Sequence, residues 1–540
     1  MGNLALLLRN LFTVALILPG LVATSVYGLA ESTGPEGSNA RALYNLDKTG
    51  DGIEVGILGL HYVEPNHTAF ENIAIENITQ EGFDNVTIEY WHDTIMAGII
   101  ASGGWEGHED QLGLAPGIDK IYCFKLVTAD AVAEGLGWLV DTNGCRVVAT
   151  GFDLGTFDDY TINRSKAIYD YYAYKYNAIL VCGAGKYQPN INPPVTQVSC
   201  PGSAYNVITT AGLILNDSNN EDVYRRIGTE SLSGPTKDDR RKPDICAPSD
   251  AQTVPWWSDP NGTTNTNGIG GDSGATSWAI PHTAGAVALL LSLAESTIED
   301  PCDSQNEVIK AVIVNSACPN INDKVNSPTT REVFDYDRGY GRLDAMRAYQ
   351  TLSSPRLREG SSTTDLMGWG FEHISENNSH TFTVFADAND RLAVTLTWNR
   401  FVKKIGQNYV PEDSCINLDL EVCDAFTDQP VFIQIDPNNN LEKCDIVIPQ
   451  TGYYDIKIIN RDSNKSRSYG MAFEVIEPIV GDFNLDYSVD YNDLDSMLIK
   501  WLDDATGLDI DMFTDGTINL RDISILAENW LNYDKSYYEY

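Results

Sequence analysis

GDSGATSWAIPHTAGAVALLL, residues 271–291, is the stretch that decides how this chain is read. A Gly-rich turn delivers Thr276 and Ser277 to the start of an apolar, Ala-rich run that reads as a buried helix. At a helix N-terminus the backbone N–H groups point outward and steady a developing negative oxygen, which is what a serine nucleophile needs. A small hydroxyl residue is also favoured there simply as a cap. A serine without a base does little chemistry, so its neighbours in the fold decide between the two readings.

Upstream, DGIEVGILGL (51–60), IYCFKL (121–126), RVVATGF (146–152) and AILVCGAG (178–185) read as short buried strands. Helical stretches around 133–140 and 165–174 lie among them. Strands alternating with helices mean βαβ units and a mostly parallel sheet, an α/β fold.

Residues 274–285 resemble the serine motif of the subtilisin-like serine peptidases, the subtilases, whose pattern is Gly-Thr-Ser-x-Ala-x-Pro-His-x-Ala-Gly. The match falls on Thr276, Ser277, Ala279, Pro281, His282, Ala284 and Gly285, with Ala275 inserted after the glycine. SLSGPTKDDRRKPDICAPS (231–249) resembles a second stretch of that family, and the likeness covers roughly residues 40–352. It implies a three-layer subtilisin-like domain, with Ser277 at the family nucleophile position and His282 in a structural role.

The same resemblance places Gly59, at the end of the first strand, where the family carries its triad Asp. WHDTIMAGIIASGG (91–104) resembles the helix start His-Gly-Thr-His-x-Ala-Gly. A register through His92, Thr94, Ala97 and Gly98 sets Ile95 at the catalytic His and His92 at a non-catalytic one. Lys186 stands where the family has its oxyanion-hole Asn. Three functional positions changed together imply a catalytically inactive peptidase homologue whose old cleft binds a peptide or protein ligand. The alternative is an active serine endopeptidase in which Ser277 uses a non-standard base, drawn from His61, His67, His92 or Lys186.

The 540 residues exceed what one core serves, and the formal net charge of −40 argues against nucleic acid as a partner. Residues 1–30 read as a signal peptide cut after Ala30, which implies a secreted or cell-surface protein; no later run reads as a membrane span. An exported chain permits disulfides, with Cys302–Cys318 and a pair among Cys415, Cys423 and Cys444 as candidates. Cys123, Cys182 and Cys246, in apolar runs, read as buried thiols.

The expected units are a subtilase-like domain over 31–352, a β-sandwich over 353–478 and a small all-α module over 479–540. Alternating segments such as LAVTLTW and INLDLEV indicate antiparallel sheets and resemble the jelly-roll-like domain that follows some subtilases. The tail carries a 29-residue repeat: Asp482, Asp486, Val489, Asp490, Asp493, Trp501 and Leu502 recur as Asp511, Asp515, Ile518, Asn519, Asp522, Trp530 and Leu531. Asp482, Asn484, Asp486, Ser488, Asp490 and Asp493 have the spacing of oxygen ligands that wrap one calcium ion. Asp511, Asp515, Thr517, Asn519 and Asp522 are the ligand candidates of the second loop, which Phe513 weakens. The pair of loop-helix units resembles a dockerin and implies a cohesin-type domain as partner.

Overall fold

The computed structural model describes residues 28–481 apart from 84–88, 156, 188–194, 216–223, 251–252, 266–274, 297–299, 320, 322–332 and 413. Of the tail it describes 489, 494, 512 and 518–529. Eight strands form the central sheet: β1 (Glu54–Gly59), β2 (Ala74–Thr79), β3 (Lys120–Lys125), β4 (Val147–Thr150), β5 (Ile179–Gly183), β6 (Ile208–Leu215), β7 (Tyr224–Ile227) and β8 (Ile245–Pro248). Their order is β8-β6-β5-β4-β1-β3-β2, all parallel, with β7 added antiparallel to β6.

Period-two alternation explains why helices cover both faces. Val55, Ile57, Ile121, Val147, Ala149 and Val181 enter one apolar core. Leu58, Tyr122, Phe124, Val148 and Leu180, the intervening residues, enter the other. The first core is closed by α1 (Trp91–Ala101) and by the long α3 (Thr276–Ser296); α2 (Asp159–Tyr176) covers the second. Helix α3 is long and apolar enough to cross a membrane, contrary to the expectation that no such run exists. It is nonetheless a core helix, with 83% of its most apolar window buried inside the protein. Each buried leucine from Leu289 to Leu291 contributes roughly 1.5–3 kcal/mol.

Residues beyond Pro355 build two antiparallel sheets around a third core. In the first, β9 (Ser362–Thr363), β11 (Ser379–Ala386), β16 (Gly452–Asn460), β13 (Leu418–Asp424) and β14 (Pro430–Gln434) are neighbours in that order, β9 joining in parallel. In the second the order is β10 (Met367–Ile374), β17 (Arg467–Ile476), β12 (Arg391–Trp398) and β15 (Leu441–Val447). This sandwich seats on α4 (Asn306–Asn315) of the α/β domain. Thr395 Oγ1 donates to Asn315 Oδ1 at 3.0 Å, Lys443 Nζ donates to the Val314 carbonyl at 2.8 Å, and Arg347 Nε donates to Glu474 at 2.8 Å. Gly470 passes so close to the Glu307–Val308 backbone that no side chain fits.

Burial at this seam raises the Glu307 carboxyl to about 7. Its unfolded value is about 4.5, so the uncharged form favours the fold, and that contribution is complete below pH 4.5 and lost as pH rises through 7. Between pH 4.5 and 8 this costs about 3 kcal/mol. Glu307→Gln is expected to melt several degrees above the parent at pH 8 and near it at pH 4.5, measured by calorimetry.

One expectation about the chain's chemistry is corrected here. None of the ten cysteines is bridged in a disulfide, so neither Cys302–Cys318 nor a pair among Cys415, Cys423 and Cys444 is formed. Cys123, Cys182 and Cys246 are the buried thiols the apolar runs implied, each raised by desolvation. The cut expected after Ala30 falls inside a short helix, Leu29–Ser32, in which Leu29 is fully buried and its N–H donates to Gln111 Oε1 at 2.7 Å.

In the tail, Val489, Ile518 and Leu526 form a small core flanked by Leu494, Met512 and Ile523. Val489 and Ile518 occupy equivalent places in the 29-residue repeat, as do Leu494 and Ile523. Asn519 caps the helix Leu520–Glu528: its side chain accepts from Arg521 N, and its own N–H donates to the buried Asp522 at 2.8 Å. Asp482, Asn484, Asp486, Ser488, Asp490, Asp493, Asp511, Asp515 and Thr517 lie outside the described residues.

Candidate active site

Parallel strands present their C-terminal ends as one edge, the usual place for a site in an open α/β sheet. Here that edge brings together the end of β1 at Gly59, the end of β4 at Gly151, Lys186 just beyond β5, and the first turns of α1 and α3. Gly183 is what lets α3 approach: a Cβ there would meet Thr276 Oγ1 at 2.5 Å. Ser277, half-buried, is the second residue of α3. Pro281 sits four residues on and has no N–H to give the Ser277 carbonyl, so the first turn of α3 lacks that helical bond.

Ile95 does not face this edge. It is fully buried in the α1–α3 core, where an ionisable side chain would find no water. The imidazole at this edge belongs to His92, one turn earlier on α1 than Ile95. The His92 ring packs on Trp278, the residue after Ser277, with centroids 5.1 Å apart, and edge-on to Trp91 at 5.3 Å. Only 12% of its side chain is exposed. Among the described residues no hydrogen bond joins Ser277 to His92; such bonds commonly tighten only when substrate is bound.

His92 Nδ1 donates to Asp93 Oδ1 at 2.7 Å. A carboxylate has no proton to offer, so the contact sets the tautomer and leaves Nε2 as the free acceptor. Asp93 is fully buried, and its second oxygen accepts the backbone N–H of His61 at 2.9 Å. Its carboxylate lies over Gly59: a Cβ added to that glycine would stand 2.6 Å from Oδ1 and closer still to Oδ2. Gly59 thus lacks an acid of its own, as the sequence implied, yet a carboxylate fills the space beside it. Gly151 yields in the same way, since a Cβ there would meet Met96 Sδ at 2.7 Å and His92 Cε1 at 3.2 Å.

The other imidazoles have structural employment. His67 Nδ1 accepts from Ala69 N at 3.1 Å and Nε2 donates to the Gly262 carbonyl at 2.9 Å, which latches a loop. His282 is fully buried on α3 and donates from Nδ1 to the Trp278 carbonyl at 2.8 Å; desolvation lowers it to about 4, so it stays neutral. His61 packs at a tilt against Trp91, centroids 4.9 Å apart, and is lowered by burial, with Glu89 3.4 Å from its Nε2. Lys186 leans toward Glu230, with Nζ 3.5 Å from Oε2, while its backbone N–H reaches Asp153 Oδ2 at 3.3 Å. Burial raises Asp153.

Reading by motif register gave His92 a non-catalytic place, kept it only as an alternative base, and passed over Asp93. The signal that could have found them is the adjacency of an imidazole and a carboxyl at 92–93 together with a glycine at 59, an acid gained beside an acid lost. Consecutive helical residues seldom face each other, so the pair carries little weight until the fold sets both against β1.

Two solved structures are similar to part of this chain. The prenylagaramide maturation protease PagA is 19% identical over 58% of this chain and 99% of that one, with a TM-score of 0.43. The patellamide maturation protease PatA is 21% identical over 56% of this chain and 97% of that one, with a TM-score of 0.39. The model of the subtilase family of peptidases matches residues 51–349, more than half of the chain, and the chain belongs to that family.

Proposed function

We propose that this chain is a secreted serine endopeptidase in which Ser277 is the nucleophile and His92 the general base. The observation that carries the reading is the His92 imidazole seated on Trp278, next to Ser277, with Nδ1 committed and Nε2 available. Ser277 Oγ attacks the scissile carbonyl as Nε2 takes its proton, and the same nitrogen then protonates the departing amine. Water attack on the acyl-enzyme repeats the sequence and frees the serine. The N-terminal amides of α3 supply part of the stabilisation of the oxyanion.

The test is incubation of the purified chain with casein and with a serine-directed fluorophosphonate. Cleavage and labelling of the parent, both absent in Ser277→Ala, are the expected result. One observation favours a second reading: Lys186, leaning toward Glu230, occupies the place of an amide donor. A parent that neither cleaves nor labels would make the cleft a non-catalytic peptide- or protein-binding surface.

The same proposal assigns the tail to calcium-dependent docking on a cohesin-type domain. Its support is the ligand spacing in the 29-residue repeat and the meeting of repeat-equivalent Val489 and Ile518. Calcium is expected to raise the helicity and melting temperature of the tail in the full chain, and Asp482→Ala to abolish most of that gain, by circular dichroism with and without chelator. Indifference to chelation would remove the assignment.

A further inference from the structure

We infer that the acid of this site has moved from strand to helix: Asp93 on α1 is the residue that orients His92, and Gly59 on β1 is a glycine because that carboxylate needs its room. The inference rests on the serine-peptidase reading and names the third member of its machinery.

Three observations converge. A base that shuttles a proton through Nε2 needs an acceptor at Nδ1 to hold one tautomer and to stabilise the imidazolium. Asp93 Oδ1 is that acceptor, at 2.7 Å. Asp93 is itself held, since Oδ2 takes the His61 amide at 2.9 Å and the side chain is sealed from solvent, so it cannot swing away from the ring. The space it fills begins where a side chain on Gly59 would begin. Gly59 has ordinary extended strand geometry, pairing with Lys125 in register, so backbone conformation does not demand a glycine there. What demands it is the neighbour. Positions 59 and 93 therefore hold one carboxylate between them, and either backbone site can deliver it to the same place.

Asp93 is a positioning residue, because it acts through His92. The experiment is a swap in the full chain: Asp93→Asn, Asp93→Gly, Gly59→Asp, and the double variant Gly59→Asp with Asp93→Gly, read by fluorophosphonate labelling rate and peptide kcat and KM. Asp93→Asn is expected to lower kcat by about 10⁴-fold while KM changes little. Asp93→Gly loses the acceptor, and Gly59→Asp forces two carboxylates into one site; each is expected to cost about 10³-fold or more. If the two positions were independent those losses would multiply, whereas the double variant is expected within about tenfold of the parent.

A second readout does not depend on turnover. The Nδ1–H proton of His92 should give a far-downfield NMR signal in the parent and the swapped double variant, and none in Asp93→Asn or Asp93→Gly. A folded Asp93→Asn chain that keeps its kcat and the downfield signal overturns the inference. So does a folded double variant no better than its single components. A parent that does not react with fluorophosphonate defeats the peptidase reading alone, and the proton signal then still decides whether Asp93 orients His92.

Discussion

Replacing His92 by alanine is expected to abolish peptide hydrolysis and fluorophosphonate labelling, with a fall on the order of 10⁶-fold in kcat. The loss is expected to equal that of Ser277→Ala and to add nothing to it, because nucleophile and base act as one unit. Among the described candidates, His67, His282 and Lys186 are not placed to take over. His67 has both ring nitrogens engaged within its loop, and His282 is sealed in the core of α3 with Nδ1 turned to a carbonyl. Lys186 is half-exposed and leans toward Glu230, which is not the desolvated setting that a Ser–Lys pair requires. By contrast Ile95→His should restore nothing. It would put an unpartnered polar ring into the packed α1–α3 core, and its effect should appear as a lowered melting temperature. Measuring kcat for both variants separates the two registers of α1. A His92→Ala chain within tenfold of the parent would reject His92 as the base.

Lys186→Asn is expected to raise kcat, by about 10²-fold, with little change in KM. A single well-placed amide donor facing a developing oxyanion lowers the barrier by roughly 3 kcal/mol. In this chain the side chain at that position is long, half-exposed and drawn toward Glu230, so it is not preorganised for the reaction centre. An asparagine is shorter and leaves Glu230 without its partner, a modest cost for a half-exposed pair. Steady-state kinetics on a chromogenic peptide read the change. A fall in kcat would instead identify the Lys186 ammonium as the oxyanion donor.

Much of the architecture is legible in the order of residues alone. Val55, Ile57 and Leu58, or Ile121, Tyr122 and Phe124, make nearly unbroken apolar strands because both faces of a parallel sheet are covered. The alternation in LAVTLTW marks the sandwich, where β12 pairs with β15 and β17. The Gly-Ala-Thr-Ser turn before a long apolar run places Ser277 at the head of α3. Less legible is anything that depends on which residues far apart in sequence share a space. The cysteine pairs failed for that reason, since spacing says nothing of where two thiols end up.

The local pattern of apolar, small and turn-forming residues determined by itself that this chain makes a parallel α/β domain with a serine at a helix start, an antiparallel sandwich after it, and a repeated acidic tail. Those properties follow from neighbours along the backbone, whose periodicity the sequence spells out. Which imidazole packs beside the start of that helix, and which carboxylate holds the imidazole, only the tertiary structure decided. One turn of α1 separates a core isoleucine from a cleft histidine, and the vacancy at Gly59 acquires meaning only when Asp93 is folded into it.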